Sequence, residues 1–176
     1  MKRNKLVILF IAMFVVIMAI SFTGCSSTKT DDSKSNTATQ QQDVEKQKLR
    51  AKAAVFLAEE KIPTAFDQFD DAKYPIAKDR YKITADIENY LKGFYSDAIA
   101  KQIVDTYVKK ENLPNYGEVL TLQIPEDYVA LTKDSKPTIT VEGQNATVTS
   151  TEKGKTVTYK LVEKDSKWIV DSKEVK

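Results

Sequence analysis

Apolar positions change their spacing three times along this chain, and each change marks a different kind of segment. Leu6 to Ile20 is an unbroken apolar run, and Ser26 to Asp43 that follows has no large apolar side chain. From Glu45 the apolar residues return at helical spacing: Leu49, Ala53, Phe56 and Leu57 predict a helix over 45–61 that Pro63 stops. Pro63 is expected to start a short second helix, followed by an irregular stretch around Tyr74-Pro75. Thr84 and Asp86 open a helix with Ile87, Tyr90, Leu91 and Phe94 on one stripe, closed by Gly93. Ser96 and Asp97 start another, with Ile99, Ile103, Tyr107 and Val108 along one side, running to Lys109-Lys110.

At Glu118 the period falls to two. Leu120, Leu122 and Ile124 alternate with Thr121 and Gln123, and the pattern continues through Val129 and Leu131, Ile139 and Val141, and Ala146 and Val148. Val157, Tyr159 and Leu161 are expected to pair with Trp168 and Val170 across Lys164-Asp165-Ser166-Lys167. Strands with one apolar and one polar face need a cover, and the helices ahead of them supply it, so the expected class is α+β.

Lys2, Arg3 and Lys5 precede the apolar run, which is shorter than the roughly 20 residues of a membrane span; this is the layout of a secretory signal. The run leads into Phe22-Thr23-Gly24-Cys25, which resembles the bacterial lipobox. The resemblance implies cleavage between Gly24 and Cys25, a diacylglyceryl group on Cys25, and a mature protein held at the outer face of a membrane in a Gram-positive-like envelope. Two acyl chains at roughly 0.8 kcal/mol per buried methylene anchor stably where one does not. The expected organisation is a leader over Met1–Gly24, a lipidated cysteine and polar tether over Cys25–Asp43, and one folded domain over Val44–Lys176.

Cys25 is the only cysteine, so the domain has no thiol for a disulfide. Removal of the leader takes three of the 27 basic residues and none of the 25 acidic ones, leaving a net charge of −1. That balance gives no electrostatic footprint for nucleic acid.

The order of parts, helices and then a long antiparallel meander, resembles the NTF2-like, cystatin-like group. The stretch Thr156 to Val170, a strand with charged residues at its end followed by one carrying Trp168, is similar to the closing hairpin of small lipoproteins of that group. The resemblance implies helices wrapped by one curved sheet into a cone. Asp86 to Leu91 followed by Ser96 to Tyr107 is more weakly similar to bacterial inhibitors of cell-wall DL-endopeptidases, and no inhibitory residue carries over from it.

The chain has no histidine, which removes every Ser-His, Cys-His and His-ligated metal site. Its glycines are isolated, so no phosphate-cradling loop forms, and Asp67, Asp70 and Asp71 lack the spacing of a calcium loop. No cofactor is expected, and no enzymatic activity. Tyr116 and Tyr128 fall outside the inward set of their strands and Tyr95 sits at a helix corner; these three are the candidate binding rim, since tyrosine tolerates water at one end. The favoured expectation is a lipid-anchored domain that binds an envelope protein, a peptide or a wall polymer. The alternatives are an inhibitor or immunity lipoprotein directed at a wall hydrolase or toxic peptide, and a small enzyme using a tyrosine and a carboxylate inside the cone.

Overall fold

The computed structural model describes residues 35–176. The leader, the Gly24–Cys25 junction and the first part of the tether lie outside the described residues. Among the described residues three helices, α1 (Ser35–Thr64), α2 (Thr84–Leu91) and α3 (Asp97–Tyr107), precede or interleave with eight strands. Strands β1 (Phe66–Asp67), β2 (Ile76–Ala77), β3 (Val108–Leu113) and β4 (Gly117–Leu122) form one antiparallel sheet in the order β1-β2-β4-β3. Strands β5 (Thr138–Glu142), β6 (Asn145–Glu152), β7 (Lys155–Lys164) and β8 (Lys167–Val175) form a second antiparallel sheet in chain order. The class is therefore α+β, with the N-terminal helix on the sheets.

Several boundaries differ from the expected ones. Helix α1 begins at Ser35, inside the stretch read as tether, and passes through Pro63 to Thr64, whose hydroxyl satisfies the Glu60 carbonyl at 2.6 Å. No second helix starts at Pro63; the chain goes instead into the two short strands β1 and β2. Helix α3 stops at Tyr107, and Val108 starts a strand, because residues 108–113 find a full set of partners in β4, from Val108 opposite Leu122 to Leu113 opposite Gly117. Val129 and Leu131 are buried but belong to no strand. Residues 123–137 are an irregular connection that parts the expected meander into two sheets.

The face of α1 is also rotated from expectation. Leu49 is 68% exposed and Leu57 is 40% exposed, whereas Ala51, Val55, Ala58 and Ile62 are buried. The reason is packing distance: small alanines on the inner face let the helix backbone approach the sheet, so volume rather than hydrophobicity selects the side. In α2 and α3 the expected stripes point inward. Ile87 and Leu91 are buried with Tyr90 and Phe94 packed on them, and Ile103 is buried with Ile99 and Tyr107 beside it. Asp86 opens α2 by accepting from the backbone amides of Lys82 and Ile83 at 2.9 and 3.1 Å.

The closing hairpin forms across the expected turn, with Leu161 opposite Val170, Lys164 opposite Lys167, and Asp165 and Ser166 in the left-handed region. Trp168 faces Glu163, however, and Tyr159 and Val157 face Lys173 and Val175 rather than Trp168 and Val170. Between Lys160 and Leu161 the register shifts: Lys160 faces Ser172 and Leu161 faces Val170, so Asp171 is an extra residue on β8. Such a bulge changes which side chains face inward beyond it. Trp168 and Val170 point into the core before the bulge, and after it Lys173 rather than Ser172 takes the inward phase.

Candidate binding site

The bulge has a direct chemical result. Lys173 Nζ lies 2.8 Å from Glu59 Oε1, reaching it across the interior from β8 to α1. Glu59 sits among the inward residues Val55, Ala58 and Ile62 of the helix and is only 8% exposed. A lone carboxylate there would cost several kcal/mol to desolvate. Both of its oxygens are engaged, since the Tyr128 hydroxyl donates to Oε2 at 2.6 Å.

Aromatic rings enclose the pair. The Lys173 ammonium stands 3.8 Å from the Tyr128 ring centroid and 5.4 Å from that of Tyr159, at distances where the negative ring faces attract a cation. Tyr107 packs edge-on against Tyr128, with centroids 5.5 Å apart and planes at 88°. The irregular connection that carries Tyr128 is fixed at several points. The Leu131 amide donates to the Tyr159 hydroxyl at 3.2 Å, Lys153 Nζ donates to the carbonyls of Glu126 and Tyr128 at 3.2 Å each, and Lys155 pairs with Asp127 at 3.1 Å.

The environment perturbs the phenols around the pair, its ammonium and the nearby Asp127. Burial pushes the Tyr95, Tyr128 and Tyr159 phenols far above their ordinary value, and the Glu59 charge pushes them further. Burial pulls Lys173 below the usual ammonium range, opposed by its carboxylate partner. Asp127 is held low, first by its hydrogen bond from Lys155 and then by that charge.

Beside the pair lies a cavity of about 480 Å³. Its walls are apolar where α3 contributes Ile99 and Ile103 and where the connection contributes Pro125 and Val129. Gln102, Thr106, Asp127 and Lys155 stand around it, with Lys173 and Val175 along the β8 side. This volume lies in the range of small-ligand sites, and apolar walls with a few fixed polar groups are their usual chemistry.

Of the three tyrosines expected at a binding rim, two line this cavity and one does not. Tyr128 is half-buried and belongs to the Glu59 pair. Tyr95 lines the cavity with its body but is 2% exposed, a core residue more than a rim, and its hydroxyl finds no partner among the described residues. Tyr116 lies apart, at the turn between β3 and β4. Its hydroxyl donates to Asp71, which also accepts from Asn115 at 2.8 Å, and its ring packs on Phe69 with centroids 5.2 Å apart. Those bonds lower the Asp71 carboxyl, that from Tyr116 most. Tyr116→Phe is expected to return Asp71 towards its ordinary value and leave the denaturation midpoint unchanged; NMR titration of the Asp71 carboxyl and a urea melt check both. Among the described residues no group of three or more acidic, histidine or cysteine side chains is placed to hold a metal ion.

Sequence reasoning missed Glu59 and Lys173. Glu59 left a signal, a charge between Val55, Ala58 and Ile62 at helical spacing, but Lys173 left none because an unbroken alternation from Trp168 points Ser172 inward. Comparison with protein-family models, with curated proteins and with solved structures finds no match.

Proposed function

We propose that this chain is a membrane-anchored extracytoplasmic lipoprotein, attached through Cys25, whose folded part is a non-catalytic binding domain of NTF2-like form. Helices against an antiparallel sheet with a cavity between them are what support the NTF2-like reading. The observation that carries the binding reading is that the charged groups at the cavity are paired with one another: Glu59 with Lys173 and Tyr128, Asp127 with Lys155. Such groups fix shape and polarity and are poorly poised to move protons. The Glu59–Tyr128 contact is what favours the second reading, an enzyme with a tyrosine and a carboxylate. Against it, a phenol pushed so far above neutrality beside a carboxylate already engaged by an ammonium is badly matched to acid-base work near pH 7.

Two measurements test the proposal. Cys25→Ala is expected to shift the protein from the membrane fraction to the soluble fraction or medium and to abolish labelled palmitate incorporation. An unmodified Cys25 in the wild-type chain would remove the anchor. Ligand that binds only the folded state raises the melting temperature. Envelope extract is therefore expected to raise that of the full chain in detergent, and Thr106→Trp, which fills the cavity from α3, to abolish the rise. An equal rise in both proteins would place binding elsewhere.

A further inference from the structure

Strand β8 ends its sheet, and its outer edge is used over only part of its length. At Val170 that edge is taken: the Val170 amide donates to the Phe94 carbonyl at 3.0 Å and the Ser96 amide donates to the Val170 carbonyl at 2.9 Å, with Tyr95 and Val170 in parallel register. The chain then turns into α3 at Asp97 and leaves the edge.

The next positions follow from the ladder. Lys176 exchanges two backbone bonds with Thr156, at 2.8 and 2.9 Å. In an antiparallel pair the bonded positions alternate, so Glu174 and Ser172 turn their amides and carbonyls towards β7 while Val175 and Lys173 turn theirs outward. No described backbone group pairs with those outward positions. Two N–H and two C=O groups thus form an open strand edge, and the cavity lies directly beside it, with Lys173 and Val175 on one bank and Ile99, Gln102, Ile103 and Thr106 of α3 on the other.

An edge of this kind is complemented by another backbone. We propose that an extended polypeptide segment of a partner protein adds to β8 at Lys173–Val175 as a further strand and sets one large apolar side chain into the cavity. The proposal rests on the binding reading above and names the ligand class of the same site. Main-chain bonds would supply affinity and the cavity the selectivity, as in other strand-addition sites. A charged residue pointing inward ordinarily protects an edge from pairing. Here Glu59 neutralises Lys173 at 2.8 Å, which lifts that protection. A second copy of the chain fits less well, because so short an edge falls far below the roughly 1,200–2,000 Å² that a stable protein interface buries. The polar Thr- and Lys-bearing flanks suit a peptide that remains solvated on its far side.

The test is selection of linear peptides from a random phage-displayed library on the full chain in detergent. Expected are binders with one large apolar residue among β-formers. Methylating the backbone nitrogen of residues that face β8 should weaken them about tenfold or more, and methylating the alternate nitrogens should not. Val175→Pro removes an outward amide without touching the β7 ladder, so the protein is expected to keep its fold by circular dichroism and lose binding about tenfold or more. Thr106→Trp should weaken binders by occupying the cavity. Failure to recover peptides, or binders indifferent to Val175→Pro and to methylation, overturns the proposal. So does a dimer in sedimentation that Val175→Pro dissociates, which assigns the edge to a second copy. A wall fragment or lipid that protects the chain, is blocked by Thr106→Trp and ignores Val175→Pro overturns strand addition while the binding reading stands.

Discussion

Above about pH 10 this domain is expected to lose stability at about 4 kcal/mol per pH unit. The cause is three phenols largely withdrawn from water, two of them buried and that of Tyr128 half-buried against Glu59. Tyr95, Tyr128 and Tyr159 all titrate higher in the folded protein than the ordinary value of 10.0, because burial and the Glu59 charge oppose phenolate formation. As pH passes the unfolded value, the unfolded chain releases protons that the folded one keeps. The stability each tyrosine contributes is therefore fully present below pH 10 and lost as pH rises beyond it, at about 1.4 kcal/mol per unit for each group. Lys173 works the other way: its folded value lies below the ordinary 10.5, so its penalty shrinks as pH rises towards that value. Above 10.5 that offset is spent. For a domain of about 5–10 kcal/mol, roughly two to three pH units at this slope suffice to unfold it. Urea melts across an alkaline series should give a slope near three protons, with phenolate absorbance from these tyrosines appearing only together with unfolding. Titration of all eight tyrosines near pH 10 in the still-folded protein would refute it.

Glu59→Leu should cost about 3–5 kcal/mol, and Glu59→Leu combined with Lys173→Met should recover most of that loss. Removing one partner of a buried ion pair leaves the other charge desolvated and unmatched, which is the expensive outcome; replacing both with apolar groups of similar shape is often neutral or better. The geometry meets the conditions for that argument. The Glu59 side chain is 6% exposed and that of Lys173 17% exposed, at 2.8 Å, and Tyr128 loses its acceptor in either variant. Denaturation midpoints of the two singles and the double give the coupling directly. A double whose cost equals the sum of the two singles would mean that the charges do not couple and the pair is incidental. The double variant also serves function: if the pair only shapes the cavity, ligand protection should survive in it, and if the pair is catalytic or contacts ligand, protection should vanish.

Much of the sheet was legible in the chain itself. The pairing of the two closing strands, with Leu161 opposite Val170, followed from alternation and one turn, because strand pairing across a short loop is local and its period is rigid. Tyr159 opposite Lys173 and Val157 opposite Val175 did not, because they lie beyond the bulge. The stripes of α2 and α3 were legible for the same reason. The inner face of α1 was not. Leu49 and Leu57 are more hydrophobic than Ala51 and Ala58, and only the space left by the sheet reveals that the alanines fit there. Val108 reads as helix by its neighbours, yet β4 offers it a ladder, and tertiary pairing outweighs local preference. Tyr95 and Tyr128 drew notice as misfits to their local patterns, but nothing local distinguished them from Tyr116, which stands elsewhere.

The sequence by itself determined the unbroken apolar run ahead of Cys25, the absence of histidine and the α+β class, since each depends on composition or on periods within a few residues. The meeting of Glu59 with Lys173, 114 positions apart, was decided only by the tertiary structure. One extra residue in β8 re-aims every side chain after it, and a helix turned by the bulk of its neighbours brings the carboxylate to the same place. Neither effect is written in the spacing of the residues concerned, because both depend on what lies across the core.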